Sequence, residues 1–155
     1  MSSGIEIITA GPEHEADIIP LMIAFNKTEL ITWRPATMIP GLRELLRSPH
    51  RGIVQLARDG DRVLGYGIAT FGYDIEFSGE DAFITELFVD GHARRRGTGR
   101  LLLQSLVLAL RKRGTKAVHL MVRPENELAR ALYQKLAFRV IPRLLMTKEL
   151  AEPSE

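Results

Sequence analysis

Apolar residues recur along this chain with two periods, about two and about three and a half, and each change of period marks a new element. Ile5 to Thr9 reads as a short first strand. Gly11-Pro12-Glu13 opens a helix whose Ile18, Met22 and Phe25 share one stripe, and Pro20 inside it is expected to kink or break it. After the connector "TWRPATMIP", a second helix is expected from about Thr37 to Leu46. "GIVQLAR" and "RVLGYGIATFGY" read as strands joined by a hairpin at Asp59-Gly60-Asp61. The acidic "DIEFSGED" reads as a loop and "AFITELFVD" as the central strand. Gly97 to Arg113 is a helix with Leu102, Leu103, Leu106, Ala109 and Leu110 on its core face. Leu101 and Leu108 add an apolar flank, assigned to burial under a neighbouring element rather than to a homodimer surface. Gly114 ends that helix, and "AVHLMV" follows as a strand. A helix from Asn126, closing strands "FRV" and "LLMTKEL", and a frayed tail from Ala151 to Glu155 complete the chain. This order predicts a mixed central sheet with helices on both faces.

Composition narrows the possibilities. With 155 residues, 45% of them apolar, the chain suits one domain, expected over residues 1–150. A net charge of +2 argues against a dedicated nucleic-acid binder. The absence of cysteine excludes disulfides, thiolate metal sites and a cysteine nucleophile. Neither the histidines nor the acids show a metal-ligand spacing, so no metal is expected. The N-terminus has no basic region followed by an apolar core, and no apolar run reaches membrane-spanning length. A cytoplasmic protein without a membrane partner is the expectation.

Chemistry concentrates at Arg94-Arg95-Arg96-Gly97-Thr98-Gly99-Arg100, between the central strand and an apolar helix. Strand, basic glycine turn and helix together present main-chain N–H groups and a positive dipole end to an anion. Four arginines add charge for more than one phosphate, which points to a pyrophosphate-bearing cofactor. A nucleotide-triphosphatase loop would need Lys-Ser or Lys-Thr after its second glycine, and a dinucleotide fingerprint would need a third glycine where Leu102 stands.

The segment Arg94-x-x-Gly97-x-Gly99 resembles the (Gln/Arg)-x-x-Gly-x-(Gly/Ala) pyrophosphate signature of the GNAT superfamily of acetyl-CoA-dependent N-acetyltransferases. About thirty residues on, the run from Asn126 to Phe138 is similar to that superfamily's "N-x-x-A-x-x-L-Y-x-K-x-G-F", with Ala137 in place of the usual glycine. The resemblance runs from about Ala82 to Phe138 and implies an α+β sandwich with a mixed sheet of six to seven strands. It also implies acetyl-CoA as cosubstrate, held by main-chain groups of Leu87, Phe88 and Val89 and by the turn Arg94, Arg95, Arg96, Gly97, Thr98, Gly99 and Arg100. Arg95 and Arg96 are equally readable as solvated. Pro124 is expected to end pairing on the fifth strand and help open a gap there, or simply to stop the strand.

By the same resemblance Tyr133 is the acid that protonates the departing thiolate, and Asn126 contacts the cofactor while also capping its helix. Tyr133 is expected beside Ala129, at the edge of a stripe buried at Leu128, Leu132 and Leu136. Glu86, the one carboxylate inside an otherwise apolar strand, is the candidate base, because burial raises a carboxyl pKa toward neutrality. Strand alternation would put Glu86 and Phe88 on one face and Thr85 and Leu87 on the other. His119 is the rival base; His14, His50 and His92 read as surface positions. The acceptor pocket implied by the family is built from Trp33, Arg34, the helix around Glu44, and Asp74, Glu76, Glu80 and Asp81. Those carboxylates favour a small cationic amine, and "GYGIATF … ITELFV … RRRGTG" is also similar to the polyamine and diamine branch. Acetylation of a peptide or protein amine and a non-catalytic acyl-CoA-binding module stand as alternatives.

Overall fold

The structure, a computed structural model, describes residues 4–151. Residues 152–155, the end of the tail expected to fray, lie outside the described residues. The fold divides into two compact units after Leu120.

The first unit is a five-stranded sheet in the order β1-β2-β3-β4-β5. The strands are β1 (Ile5–Thr9), β2 (Gly52–Asp59), β3 (Arg62–Asp74), β4 (Gly79–Val89) and β5 (Ala117–Leu120). Neighbours run antiparallel from β1 to β4, and β5 joins β4 in parallel. A parallel pair needs a crossover, which α3 (Thr98–Arg113) supplies. Helices α1 (Glu15–Thr28) and α2 (Pro35–Arg47) precede β2.

Two apolar clusters place the helices on opposite faces of the sheet. Ile18, Leu21 and Met22 of α1 and Leu42 and Leu46 of α2 pack with Val54, Leu56, Tyr66, Ile68 and Phe88. On the other face Leu102 of α3 packs with Ala57, Leu64 and Ala93. A bulge makes this division work: Arg58 faces Val63 and Ala57 faces Gly65, so Leu64 is an extra residue in β3. The extra residue flips the alternation, leaving Leu64 under α3 and Tyr66 under α1.

Several expectations change. Pro20 does not end α1, which continues to Thr28; a proline in its second turn removes only the bond to Ala16. "DIEFSGED" is not an open loop, because β3 extends to Asp74, a 3₁₀ turn spans Ile75–Phe77, and β4 begins at Gly79. Leu102, Leu103, Leu106 and Leu110 are fully buried as read, whereas Leu101 and Leu108 are exposed rather than covered. A Schellman end closes α3, with Gly114 left-handed and the Thr115 amide donating to the Leu110 carbonyl at 3.0 Å.

The sheet has five strands where six to seven were expected, because the closing strands are absent. "FRV" and "LLMTKEL" carry no regular structure, and Leu144, Met146 and Leu150 are exposed. The physical cause is local: Pro142 has no N–H, and the Arg143 amide turns back onto the Ile141 carbonyl at 2.8 Å. The second unit contains one helix, α4 (Glu127–Lys135). Among the described residues no helix is long and apolar enough to cross a membrane.

Candidate active site

The C-terminal half of β4 is paired on one side only. Leu87, Phe88 and Val89 face Gly67, Tyr66 and Gly65 of β3. Pairing with β5 covers Asp81 to Ile84 and stops there, where Ile84 meets Leu120. Strand alternation turns the main-chain groups of Phe88 toward β3, where its carbonyl abuts Gly65. Among the described residues, then, the open β5 side offers an extended ligand the main-chain groups of Leu87 and the Val89 amide. The pairing stops at Leu120, ahead of Pro124, so the gap does not depend on the proline.

A short 3₁₀ turn, Gly91–Ala93, joins that edge to the arginine–glycine turn. Arg95 (φ 67°) and Gly97 (φ 76°) are both left-handed, folding the chain into the first turn of α3. Gly97 accepts from the Leu101 amide at 3.0 Å. The amides of Thr98, Gly99 and Arg100 have no helical carbonyl ahead of them and sit at the positive end of the α3 dipole. A Cβ added to Gly99 would meet only Val89 Cγ2, at an ordinary 3.6 Å. The chain's own packing thus leaves the space beside these amides free, and glycine keeps it free for a ligand.

The arginines divide their work. The Arg96 Nη2 donates to Asp59 Oδ2 at 2.8 Å, tying the turn to the end of β2. The Arg94 Nε donates to the Val89 carbonyl at 3.3 Å, with its guanidinium 6.0 Å from the Phe88 ring centroid. Arg95 and Arg100 are exposed and, among the described residues, lack an acidic partner. Thr98 is buried, its hydroxyl donating to the Ala93 carbonyl, so only its amide faces outward. Two uncommitted guanidinium groups, a row of main-chain donors and a cradle without side chain fit a diphosphate.

Glu86 lies upstream on β4. Ile68 faces Glu86 and Ala69 faces Ile84, so Thr85 is an extra residue in a bulge. Glu86 and Phe88 share the Tyr66 face and Leu87 the opposite one, as expected. The bulge takes Thr85 out of the alternation, so that Thr85 and Glu86 line the same cavity. The Tyr66 hydroxyl donates to Glu86 Oε1 at 2.8 Å. Burial raises the Glu86 carboxyl above its ordinary value, and the Tyr66 hydrogen bond opposes that shift without cancelling it. Burial, reinforced by the Glu86 charge, drives the Tyr66 phenol far up, so it acts as a donor and does not ionise. Tyr66 is fully buried among Phe25 and Phe88, with ring centroids 6.4 Å away in each case. Sequence reasoning missed Tyr66, because only the β3–β4 register brings it to Glu86.

The cavity at Glu86 has a volume of about 270 Å³ and is lined by Met22, Met38, Gly41, Leu42, Leu45, Ile68, Thr70, Thr85 and Glu86. Trp33 and Arg34, expected in the acceptor pocket, are not among its walls. Nor does its charge come from the expected acids. Glu44 accepts from Ser48 and pairs with Arg51, while Glu80 is held by Arg113 and Thr115. The Arg113 guanidinium accordingly holds Glu80 below the usual carboxylate range.

Asp81 is bonded to His119, whose ring lies 4.9 Å from Phe83 and 5.8 Å from Phe77. His119 is thus committed away from the cavity at Glu86. Asp74, Asp81 and His119 bring one donor atom each within 4.8 Å of one another, a grouping that linear spacing does not reveal. All three members already have internal partners, Asp81 and His119 in each other and Asp74 in the Glu76 amide.

Asn126 and Tyr133 belong to the second unit. Asn126 caps α4 as expected, its Oδ1 accepting from the Ala129 amide at 3.2 Å. Leu128 is exposed and Leu132 and Leu136 are only half-buried, so the stripe expected to be buried is not buried. Tyr133 is half-buried, with its ring centroid 6.0 Å from that of Phe138. Ala137 follows the helix with φ 69°, the left-handed conformation expected where the motif usually carries glycine.

Comparisons with known proteins bear on the family and the fold. A model of the Acetyltransferase (GNAT) family matches residues 19–138. The [ribosomal protein bS18]-alanine N-acetyltransferase of Escherichia coli (strain K12) is 33% identical over 87 residues, spanning 53% of this chain and 59% of that protein. The chain therefore spans less than two thirds of that relative. An integron cassette protein from the mobile metagenome of Cole Harbour Salt Marsh superposes with a TM-score of 0.83 at 24% identity, over 95% of this chain and 91% of the other. The aminoglycoside N-acetyltransferase AAC(6')-Iy, solved in complex with CoA, superposes with a TM-score of 0.81 at 17% identity, over 95% of each chain.

Proposed function

The chain belongs to the acetyltransferase (GNAT) family, and from that premise we propose that it transfers an acetyl group from acetyl-CoA to a primary amine by direct attack. The observation that carries this reading is the open edge at Leu87 and Val89, joined through the short turn Gly91–Ala93 to the Arg94–Gly99 turn. One surface of the first unit thus offers hydrogen bonds to an extended amide arm and donors to a diphosphate.

When bound, acetyl-CoA supplies an acyl thioester open to attack by a neutral amine. The chain's residues do the rest. Main-chain groups of Leu87 and the Val89 amide align the arm, and the amides of Thr98, Gly99 and Arg100, with Arg95 and Arg100, hold its charged end. This positioning replaces an encounter in solution. Glu86 takes a proton from the acceptor's ammonium, and burial raises its carboxyl in the direction a general base requires. By the family resemblance alone, Tyr133 is the acid proposed to protonate the departing sulfur. A small acceptor agrees with the modest cavity at Glu86.

A second reading, acetylation of a peptide or protein α-amine, is favoured by the sequence similarity to a ribosomal-protein alanine N-acetyltransferase. Thiol release from acetyl-CoA, measured over small amines, aminoglycosides and alanine-initiated peptides, tests both. Small amines as the best substrates support the first reading, and peptides alone support the second. No acetylation of any amine by folded protein that binds CoA overturns the enzymatic assignment.

A further inference from the structure

Helix α2 faces the cavity at Glu86 with Met38, Gly41, Leu42 and Leu45, spaced i, i+3, i+4 and i+7 on a single stripe. Three of the four positions carry long apolar side chains. The fourth is glycine in a helix interior, where glycine destabilises relative to alanine. Local packing does not require it: a Cβ built at Gly41 meets no atom within 4 Å. Its φ is not left-handed, so backbone conformation does not require it either. What the missing side chain does is leave room on a wall that would otherwise be filled.

The remaining surfaces say what that room suits. Met22, Leu42, Leu45 and Ile68 offer no hydrogen bond, the Met38 sulfur is already taken by the Arg34 amide, and the thioether of Met22 adapts to varied aliphatic shapes. Polar groups come from the sheet side, at Thr70, Thr85 and Glu86. A hydroxyl-rich body entering here would lose water contacts that the apolar walls do not replace. An aliphatic chain would bury its methylenes against them while its ammonium met Glu86.

We propose that the acceptor carries its reactive amine on an aliphatic chain, and that Gly41 sets the length of chain the cavity admits. This rests on the assignment of Glu86 and its cavity as the acceptor site, so the test separates the two claims. The probes are n-propylamine, n-hexylamine and glucosamine. Turnover is followed by thiol release from acetyl-CoA, and binding by saturation-transfer NMR with CoA present.

In the unaltered protein n-hexylamine is expected to exceed n-propylamine by about fourfold in kcat/KM for each methylene the walls bury. Glucosamine should rank last. Gly41→Leu is expected to cut n-hexylamine turnover and binding tenfold or more, leave n-propylamine within twofold, and keep the melting temperature at or above its original value. Gly41→Ala, the smaller change, should give an intermediate n-hexylamine loss. If n-hexylamine binds and Gly41→Leu weakens it, yet no amine is acetylated, the inference holds and the enzymatic reading falls. If amines are acetylated without regard to chain length, if glucosamine is preferred, or if Gly41→Leu affects both alkylamines equally, the inference falls and the enzymatic reading stands. Failure of n-hexylamine to bind the unaltered protein also overturns it.

Discussion

Replacing Tyr66 by phenylalanine removes one oxygen from the core and one hydrogen bond from Glu86. The bond measures 2.8 Å, and Glu86 sits on a cavity whose other walls carry no ionisable group. A hydrogen bond to a charged acceptor contributes about 1.5–3 kcal/mol, and its loss changes the ionisation equilibrium by a factor of about 10 to 100. The direction follows from the two influences on Glu86. Burial raises its carboxyl and Tyr66 opposes that rise, so phenylalanine lets the carboxyl climb further. If the deprotonated carboxyl is the base, kcat/KM on the acidic limb should fall by that factor while the plateau at high pH largely survives. Thiol release followed from pH 5 to 9 reads this displacement. Stability supplies an independent check. A carboxyl raised by folding keeps its proton in the folded chain, so stability declines as pH climbs from the unfolded carboxyl range through the folded one. Tyr66→Phe should therefore cost more stability at pH 8 than at pH 4.5. An unmoved acidic limb together with equal stability losses at both pH values would refute the coupling of Tyr66 to Glu86.

Other outcomes follow from the same geometry. Glu86→Gln, which keeps size and loses basicity, is expected to lower kcat by about 10²- to 10⁴-fold with CoA affinity unchanged. Tyr133→Phe should cost turnover on a similar scale and leave CoA binding, read by calorimetry, intact; an unaffected rate would remove Tyr133 from the chemistry. Ala137→Gly places glycine at a left-handed position and should stabilise by about 1 kcal/mol, while Gly97→Ala should destabilise by a similar amount, both read from thermal melts.

The parts legible in the sequence were those governed by neighbouring residues. The helix of Leu102, Leu103, Leu106 and Leu110, its end at Gly114, the hairpin at Gly60 and the cap at Asn126 all depend on short spacings. The basic turn was legible for the same reason, since glycines and arginines announce it locally. What escaped was set by pairing between distant strands. The bulge at Thr85 turned two consecutive side chains toward one cavity, and the register of β3 on β4 delivered Tyr66 to Glu86. Charge was misread likewise, because Glu44 and Glu80 looked free until folding brought up Arg51 and Arg113. The closing strands failed because β-propensity needs an edge to pair with, and Pro142 with its tight turn broke the run.

The claim that everything else depends on is that the main-chain amides beginning α3 hold the diphosphate of CoA. Titration calorimetry of CoA into the protein and into Gly99→Leu reads this directly, because a Cβ there meets only Val89 at an ordinary distance and spares the fold. The account predicts binding to the unaltered protein and a loss of at least tenfold in Gly99→Leu, with melting temperatures alike. Equal CoA affinity in the two proteins, or none in either, would contradict it.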